Sequence, residues 1–573
     1  TNNIAPIYPL YIRNADGSIK KDARGFTMYD YGNGMYTDGT TALNRPFLSQ
    51  SNPASALQLD KNEYNMDILS GRAFVEVSII EGLKATANWG MDLDNTRYTE
   101  LINPYYGQYA GNTGGVVGVS HSRVFSINQQ YLLTYKKNFG DHNIDLLAGF
   151  ESYDYKNQAL SGSKQKVYNP NIVELNNAIN TPSANSSTAN YATAGFLFRA
   201  QYDYLEKYFA SASFRRDASS RFHPDNRWGN FWALSGGWRV SGEEFMKEFD
   251  WVNDLKIRFG YGVTGNNDFD ASYMANTLSR DQYWMLPSGS WAFVYGPSSN
   301  VNPYLGWEEK KEWNIGVDYS FFGNRMYGKF DYYRRKIDGM IYEVNVPQPP
   351  YPNGKQWQNI GEMESKGWEF EVGGDIIQNK DFTWTSSLNM SHNSGKILTM
   401  YGNNSRMDGN AMDEPGWPGD ASRIEEGAEI GAFHMWKFAG FDDKGDFLLY
   451  NKDGEVIPAS QKSVDDKQYI GNYLPKVMMG WNNTFTYKNF DLGINMRSWI
   501  GFDVLNTYPM YLGIQGQSGA GQWNLWKPAL DDPKYKDIRG VKQLCDYFLE
   551  DGSFLKIDAI TLGYTCLLYT SDA

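Results

Sequence analysis

The chain has 573 residues and a formal net charge of -13, with a sequence pI of about 5.1. An acidic chain lacks the basic surface of nucleic-acid-binding domains, so we expect no nucleic-acid partner. Aromatic residues make up 16% of the sequence and Gly occurs 57 times, whereas mean hydropathy is only -0.56. This composition favours strands joined by turns, so the expected fold class is all-β.

Cysteine content and hydropathy narrow the class of protein further. Cys545 and Cys566 are the only cysteines, too few for a disulfide framework or a zinc site. No apolar run approaches the roughly 18 to 20 residues of a transmembrane helix. A membrane-spanning β-strand needs only about 9 to 11 residues of alternating character, so the low hydropathy is compatible with a membrane protein.

Alternation of apolar and polar residues recurs along the chain and predicts strands. In "DLKIRFGYGVTG" Ile257 and Phe259 fall on one face, whereas Lys256 and Arg258 fall on the other. The pattern predicts 15 spanning strands, at residues 72–80, 82–94, 122–137, 141–156, 190–205, 207–217, 229–241, 253–265, 311–322, 325–337, 366–377, 381–394, 478–486, 490–500 and 553–565.

Connections between the predicted strands alternate between short turns and long loops. The short turns lie at 81–82, 138–142, 205–208, 322–325 and 378–381, and one intermediate link occupies a short position. The long loops lie at 95–121, 157–189, 218–228, 266–310 and 338–365. Short turns at one end and long loops at the other are typical of a transmembrane antiparallel β-barrel with long extracellular loops. A Greek-key sandwich has no reason to keep this parity.

The same parity applies to the difficult region 395–477. The turn "YKNF" at 487–490 belongs to the short end, so 395–477 must contain an even number of spanning strands, most simply none. We therefore predict a very long extracellular loop there, with local hairpins at 431–441 and 446–451, and a second long loop at 501–552.

The stretch "RRDASSRFHPDNRWGNFWALSGGWRV" at 215–240 illustrates how the two faces are assigned. One parity is predicted to face lipid, where an interfacial aromatic girdle is expected, and it contains Trp232, Leu234, Trp238 and Val240. The other parity is predicted to face a wet lumen, and it contains Ser235, Gly237 and Arg239. The alternative is a soluble sheet that packs its tryptophans in a core.

Several longer blocks carry a family resemblance. In order they are "RRDASSRFHPDNRWGNFWALSGGWRVSGEEFM", "LKIRFGYGVTGNN", "NPYLGWEEKKEWNIGVDYSFFGNRMYGKFDYYRRKIDGMI", "RIEEGAEIGAFHMWKFAGFDDKGDFLLYNKDGEVI", "DKQYIGNYLPKVMMGWNNTFTYKNFDLGINMRSWIGFDVLN" and "EDGSFLKIDAITLGYT". Together they resemble the SusC/RagA-like TonB-dependent outer-membrane transporters over most of residues 64 to 565. The resemblance implies a plugged barrel of about 22 strands, of which this chain supplies about 15.

The resemblance also implies partners and a domain plan. The partners are a SusD-like surface lipoprotein, the TonB-ExbB-ExbD complex acting through an N-terminal region that includes a plug, outer-membrane lipid, and a glycan or peptide cargo. Residues 1–71 are expected to form an extracellular loop segment, 72–565 the receptor barrel, and 566–573 a tail outside the family pattern. Since no plug or TonB box precedes Thr1, we expect a barrel fragment.

Motifs for catalysis or cofactors give little. "GYGVTG" at 260–265 matches a dinucleotide fingerprint, but it lies within an alternating strand instead of opening a helix. Nothing singles out a catalytic site, so we expect no enzyme and no cofactor. One weak alternative is calcium in "YNKDGEVIPASQKSVDDKQ", where oxygen ligands would come from Asn451, Asp453, Glu455 and Asp466. The favoured interpretation of that segment is a hairpin turn at "KDG".

Aromatic residues in the predicted loops are the candidate contacts to cargo or lipoprotein: Trp284, Trp291, Tyr351, Trp357, Trp417, Trp523 and Trp526. About half of them are expected to pack loop against loop. The committed interpretation is the barrel part of an active importer of oligosaccharides or oligopeptides. The alternative is an outer-membrane-anchored surface binding or adhesion protein without active transport.

Overall fold

The computed structural model describes residues 10–14, 16–22, 25, 27–30, 52–104, 113–269, 278–297, 301–347, 354–400, 406–409, 419–514 and 526–566. No helix in these ranges has the length and apolar character to cross a membrane. The described α-helices are short: α1 Pro53–Leu59, α2 Thr507–Leu512 and α3 Pro528–Asp531.

Strands dominate the described residues. In chain order they are β1 Lys61–Ile80, β2 Leu83–Ile102, β3 Val116–Phe139, β4 His142–Val167, β5 Ala178–Tyr204, β6 Tyr208–Ser219, β7 Trp228–Arg239, β8 Val252–Asn266, β9 Leu278–Met285, β10 Trp291–Pro297, β11 Glu308–Phe321, β12 Met326–Asp338, β13 Ile341–Asn345, β14 Lys355–Asn359, β15 Gly361–Gln378, β16 Phe382–Met400, β17 Arg406–Gly409, β18 Ser422–Glu425, β19 Ala432–Met435, β20 Lys437–Phe441, β21 Phe447–Tyr450, β22 Val456–Pro458, β23 Gln468–Asn472, β24 Val477–Tyr487, β25 Phe490–Ile500, β26 Asp503–Leu505, β27 Leu549–Asp551 and β28 Phe554–Tyr564.

One 15-stranded sheet, which we call the wall, organises the molecule. Its order is β1–β8, β11, β12, β15, β16, β24, β25 and β28, and each strand pairs antiparallel with the next. These are the 15 strands that alternation predicts, so the predicted fold class is confirmed. Strands that follow one another along the chain lie beside one another, as in an up-and-down barrel.

Several wall strands are longer than predicted at the long-loop end. β1 begins at Lys61, so residues 61–71, expected to be loop, are strand. β4 continues to Val167 and β5 starts at Ala178. These extensions are rich in Ser, Asn and Gln and lack an alternating pattern. Beyond the bilayer both faces of a strand meet water, so backbone pairing persists there without period-2 alternation.

The two longest loops fold against each other. We call residues 419–476 and 501–553, where described, the loop body. As predicted, no strand of the wall comes from residues 401–476, and β20 pairs with β21 as a local hairpin. The loops meet at a parallel bridge between Trp436 and Cys545. Their shared core contains buried Ala421, Phe433, Met435, Trp436, Phe447, Leu449, Met510, Ile514, Tyr535, Ile538, Leu544, Cys545 and Phe548.

Candidate functional site

The wall has an apolar face and a polar face. Trp232, Leu234, Phe259 and Ile315 lie on the apolar face in neighbouring strands, and their side chains are 38–53% or more exposed as a group, with Leu234 and Phe259 each at 53%. Large apolar side chains exposed over a whole sheet face indicate a surface that lipid covers. Their neighbours along each strand point to the opposite, polar face.

One expectation about these faces is wrong. Val240 was assigned to lipid with Trp232, Leu234 and Trp238, but β7 ends at Arg239. Val240 instead begins a 3-10 turn and is buried, with 8% of its side chain exposed. The reason is that the chain leaves the sheet at this point, so period-2 alternation no longer determines the direction of the side chain.

Ion pairs that bridge strands occupy the polar face. The Arg258 guanidinium donates to both Asp318 carboxylate oxygens, at 2.7 and 2.9 Å, and to Asp331 at 3.2 Å. These residues come from β8, β11 and β12. Arg258 reaches Asp331 past Gly316, whose added Cβ would lie 2.5 Å from the Asp331 carboxylate and 2.7 Å from the guanidinium. Glycine is therefore required for this close approach.

A second network repeats the arrangement on β4, β5 and β6. Arg215 donates to Glu151 at 2.9 Å and to Asp217 at 3.0 Å. Gly195 lies between them in the register, and an added Cβ there would lie 1.9 Å from the Asp217 carboxylate. Glu151 also accepts a hydrogen bond from the Gln130 amide at 2.6 Å. Charges on the polar face are thus compensated across strands, which fits a hydrated lumen.

The polar face forms a cavity of about 630 Å³ near the short-turn end. Small residues Ser211, Ser235 and Gly260 form its floor, and Lys256 and Arg258 supply cations beside them. The Lys256 ammonium lies 4.1 Å from the centre of the Phe209 ring. Such a surface offers hydrogen-bond donors and acceptors to a polar molecule that passes along it.

Two of the predicted loop aromatics are packed against other loop residues. Trp357 is partly buried beside Phe269, with ring centroids 5.9 Å apart, in a cluster at the long-loop end. Trp526 packs edge-on against Tyr508 at 5.6 Å and against Tyr535 at 5.3 Å, within the core of the loop body. Contact of either residue with cargo or lipoprotein stays a prediction.

The other five aromatic candidates divide into two groups. Trp284 lies in β9 opposite Ala292, and Trp291 lies in β10 opposite Met285, so both belong to one hairpin of the long-loop end. Tyr351, Trp417 and Trp523 lie outside the described residues. The structure therefore brings Trp284 and Trp291 into one hairpin and places Trp357 and Trp526 in two separate clusters.

The segment considered for calcium forms a hairpin turn. The Asn451 side-chain oxygen accepts hydrogen bonds from the backbone N–H groups of Asp453 at 3.0 Å and Glu455 at 2.8 Å. Asp466 accepts from the backbone of Lys452 at 3.0 Å and of Ser463 at 2.6 Å, which caps a short turn. These oxygens are thus engaged in turn and cap hydrogen bonds. Within the described ranges, no three His, Cys, Asp or Glu side chains form a metal-holding group.

Cys545 lies at the centre of the loop body. Its side chain is completely buried, and burial raises the pKa of the thiol to about 12. The thiol is therefore protonated and unreactive at neutral pH. Cys566, by contrast, is exposed.

Sequence reasoning missed the ionic networks. Arg258, Asp318 and Asp331 share the polar parity of their strands, which is a readable signal. Their contact depends on the register of three strands and on Gly316 between them, and alternation alone does not determine register.

Comparisons with known proteins agree with this geometry. Residues 12–525 match the family described as TonB dependent receptor-like, beta-barrel. The chain belongs to this family. The predicted SusC/RagA-like character is confirmed, and so is the outer membrane as its location. The polar face of the wall is accordingly the lumen face, and the apolar face meets lipid.

Named relatives extend along almost the entire chain. TonB-dependent receptor SusC of Bacteroides thetaiotaomicron is 28% identical over 539 residues, which are 90% of this chain and 52% of that protein. TonB-dependent receptor P3 of Formosa agariphila is 27% identical over 563 residues, 93% of this chain and 54% of that protein. The chain thus spans about half the length of the curated relatives it matches.

Solved structures show the same fold. The structure of the RagAB peptide transporter superposes with a TM-score of 0.78 and 24% identity, covering 92% of this chain and 59% of that one. A closed-closed state of the RagAB peptide importer gives 0.77 and 23% identity, covering 94% and 59%. At this identity the likeness concerns the fold alone.

Proposed function

We propose that this chain is the barrel wall of an active importer of oligosaccharides or oligopeptides. In this proposal, TonB-ExbB-ExbD supplies energy from the inner membrane and a SusD-like surface lipoprotein delivers cargo to the mouth. The observation that carries the proposal is a family barrel whose lumen face is lined by charged networks that are compensated within the wall.

The lumen face has the chemistry that a polar oligomer needs for passage. Arg258 and Arg215 each bind two carboxylates, so neither presents an isolated charge that would trap a ligand. Transport requires binding that is favourable enough for entry and weak enough for release. Paired charges and hydroxyl groups such as that of Ser235 meet this requirement for sugars and for peptide backbones alike.

The mouth offers a large folded surface to a lipoprotein partner. The loop body has its own buried core, including Phe447 and Leu449, and therefore presents a defined shape at the extracellular end. The names of two similar proteins, SusC and the RagAB peptide transporter, support a two-component importer for this chain too. A receptor family of this kind supports transport and not catalysis.

The test is uptake by cells that produce the protein from its complete gene. Labelled oligosaccharide and oligopeptide mixtures are supplied to native cells, to a deletion strain and to the complemented deletion, with and without a protonophore. We expect one mixture to accumulate in native and complemented cells, and accumulation to stop when the protonophore removes the energy source. Equal accumulation in the deletion strain would contradict the proposal.

The alternative function is an anchored surface binder. The loop body favours it to this extent: a packed core at the mouth can hold a binding surface without any passage through the lumen. This alternative predicts cargo bound at the cell surface in the presence and absence of the protonophore, with none inside the cell. The same experiment therefore separates the two functions.

A further inference from the structure

An aliphatic row interrupts the polar lumen face at its extracellular end. Ile337 of β12 lies opposite Met363 of β15, and Met363 lies opposite Ile397 of β16. Ile337 follows Asp331 by an even number of residues on one strand, so both side chains point to the lumen. Three large apolar side chains are thus placed where the rest of this face carries charges.

The loop body forms a roof over this row. Ile424 and Ile430 complete the aliphatic lining of a cavity of about 390 Å³. The roof is fixed to β16 by backbone hydrogen bonds on both sides of Ile397, to Ala428 at 3.0 Å and from Gly427 at 3.0 Å. A third bond joins Ile430 to Gly395 at 2.9 Å. The cavity is therefore preformed, and its volume lies in the range of small-ligand pockets.

Polar groups beside the cavity are already engaged by the protein. The Glu308 carboxylate accepts hydrogen bonds from the Asn266 amide at 3.1 Å and from the Ile341 N–H at 2.9 Å. Arg423 has only 8% of its side chain exposed, and its guanidinium lies 3.9 Å from the Glu425 carboxylate. A sugar hydroxyl in the aliphatic part would give up its hydrogen bonds to water, which is costly. An apolar group would gain from burial there.

The charge around the cavity restricts the kind of apolar ligand. Glu308 and the exposed Glu429 both line it. Two carboxylates at the rim oppose a fatty acid or another anionic lipid, because like charges at short range repel. A peptide has no such charge beside an internal aliphatic side chain. Charge and lining together therefore favour a peptide.

We infer that this cavity receives an aliphatic side chain of an oligopeptide cargo at the entrance to the lumen. The inference rests on the proposed import function and names its substrate class. Ile424 is the best position to alter, because it is only partly buried and belongs to the roof and not to the wall. Val456 is the matched control, since it lies in the same loop body, outside the cavity, and is 53% exposed.

The experiment measures binding by the full-length protein, purified with any lipoprotein that accompanies it. The probes are two peptides that differ in one central residue, leucine in one and serine in the other. Burial of a leucine side chain predicts a preference of about tenfold or more for the leucine peptide. Ile424→Ser removes the apolar contact and Ile424→Trp fills the space, so both variants should lose the preference. Val456→Ser and Val456→Trp should retain it.

The outcomes separate this inference from the proposed import. Equal affinity of the unaltered protein for the two peptides overturns the inference, and so does a preference that survives both Ile424 variants. Binding of the serine peptide in each variant shows that the variant has folded. Preference for the leucine peptide without energy-dependent accumulation in cells supports the cavity and overturns import. Accumulation of oligosaccharide with no peptide binding supports import and overturns the cavity's assignment to peptide.

Discussion

The wall and the loop body use the same aromatic-rich composition in opposite ways. In the wall, large apolar side chains such as Leu234 and Phe259 point outward and are each 53% exposed, while Arg258 is inside. In the loop body, Phe447 and Phe548 are each 1% exposed and form a core. The wall depends on strand pairing and surrounding lipid, whereas the loop body depends on hydrophobic burial in water.

This difference teaches that one chain holds two stability regimes. Strand pairing in the wall is continuous, so its backbone polar groups are satisfied before any side-chain packing is considered. The loop body has short strands and must bury enough apolar surface to offset its conformational entropy. We therefore expect the two regions to fail separately.

The largest effect should come from emptying the core of the loop body. Phe447→Ala leaves a cavity among Phe438, Phe441 and Phe548, and such a change costs about 3 to 5 kcal/mol of the free energy of unfolding. We expect proteolysis of the loop body to become fast while the heat-modifiable mobility of the barrel in gels stays the same. Phe245→Ala, at an exposed position in a short turn, is the control. Loss of both regions together would contradict separate regimes.

A smaller effect should distinguish the two faces of the wall. Leu234→Arg places a cation in lipid and should cost about 2 to 4 kcal/mol near the bilayer centre, less toward an interface. Ser235→Arg places the same side chain on the adjacent lumen face, where water solvates it. We expect the level of folded barrel in the outer membrane to fall for the first variant only. Equal losses would mean that the faces are not distinct.

Alkaline pH should sharpen the comparison by acting on the loop body. The pKa of Cys545 is raised by burial to about 12, above the value of about 8.5 for an unfolded thiol. The folded state therefore retains its proton while the unfolded state loses it. The stabilising contribution is complete below about pH 8.5 and is lost as pH rises toward 12. Cys545→Ala should flatten this decline, measured by proteolysis of the loop body.

Thiol labelling gives an independent measure of the same region. At pH 8 a maleimide should modify exposed Cys566 quickly and buried Cys545 slowly. Phe447→Ala should accelerate the modification of Cys545 without changing that of Cys566. Rapid modification of Cys545 in the unaltered protein would contradict its position in the core.

The smallest effect concerns the turn at 451–455. Asn451→Ala removes an oxygen that accepts two backbone hydrogen bonds, and we expect a loss of about 1 kcal/mol or less from the stability of the loop body. Because its oxygens are engaged in the turn, calorimetric titration with calcium should give no binding heat. A binding isotherm that disappears in Asp453→Asn would favour the calcium site instead.

The wall could be predicted from sequence because a bilayer imposes a simple rule on it. Apolar residues must alternate along each spanning strand, so strands such as β25 at Phe490–Ile500 are found with their ends at the predicted positions. Where the bilayer ends, the rule ends too. For that reason the extension of β1 back to Lys61 and the turn at Val240 were not foreseen.

The candidate site was less predictable because it depends on contacts between distant segments. Trp526 was expected among exposed loop aromatics, but it packs against Tyr535 within a core built from two loops. The bridge from Trp436 to Cys545 joins residues more than a hundred positions apart. Hydrophobic pattern reveals local hairpins, and it contains no information on which loops meet.

The most direct test of the account is the environment of two adjacent positions on β7. A small fluorophore is attached to Leu234→Cys or Ser235→Cys, in a Cys566→Ser background, and the full-length protein is reconstituted in bilayers that contain nitroxide-labelled lipid. We predict strong quenching at position 234 and weak quenching at 235, because only the first faces lipid. Equal quenching at both positions would contradict a wall with one lipid face and one lumen face.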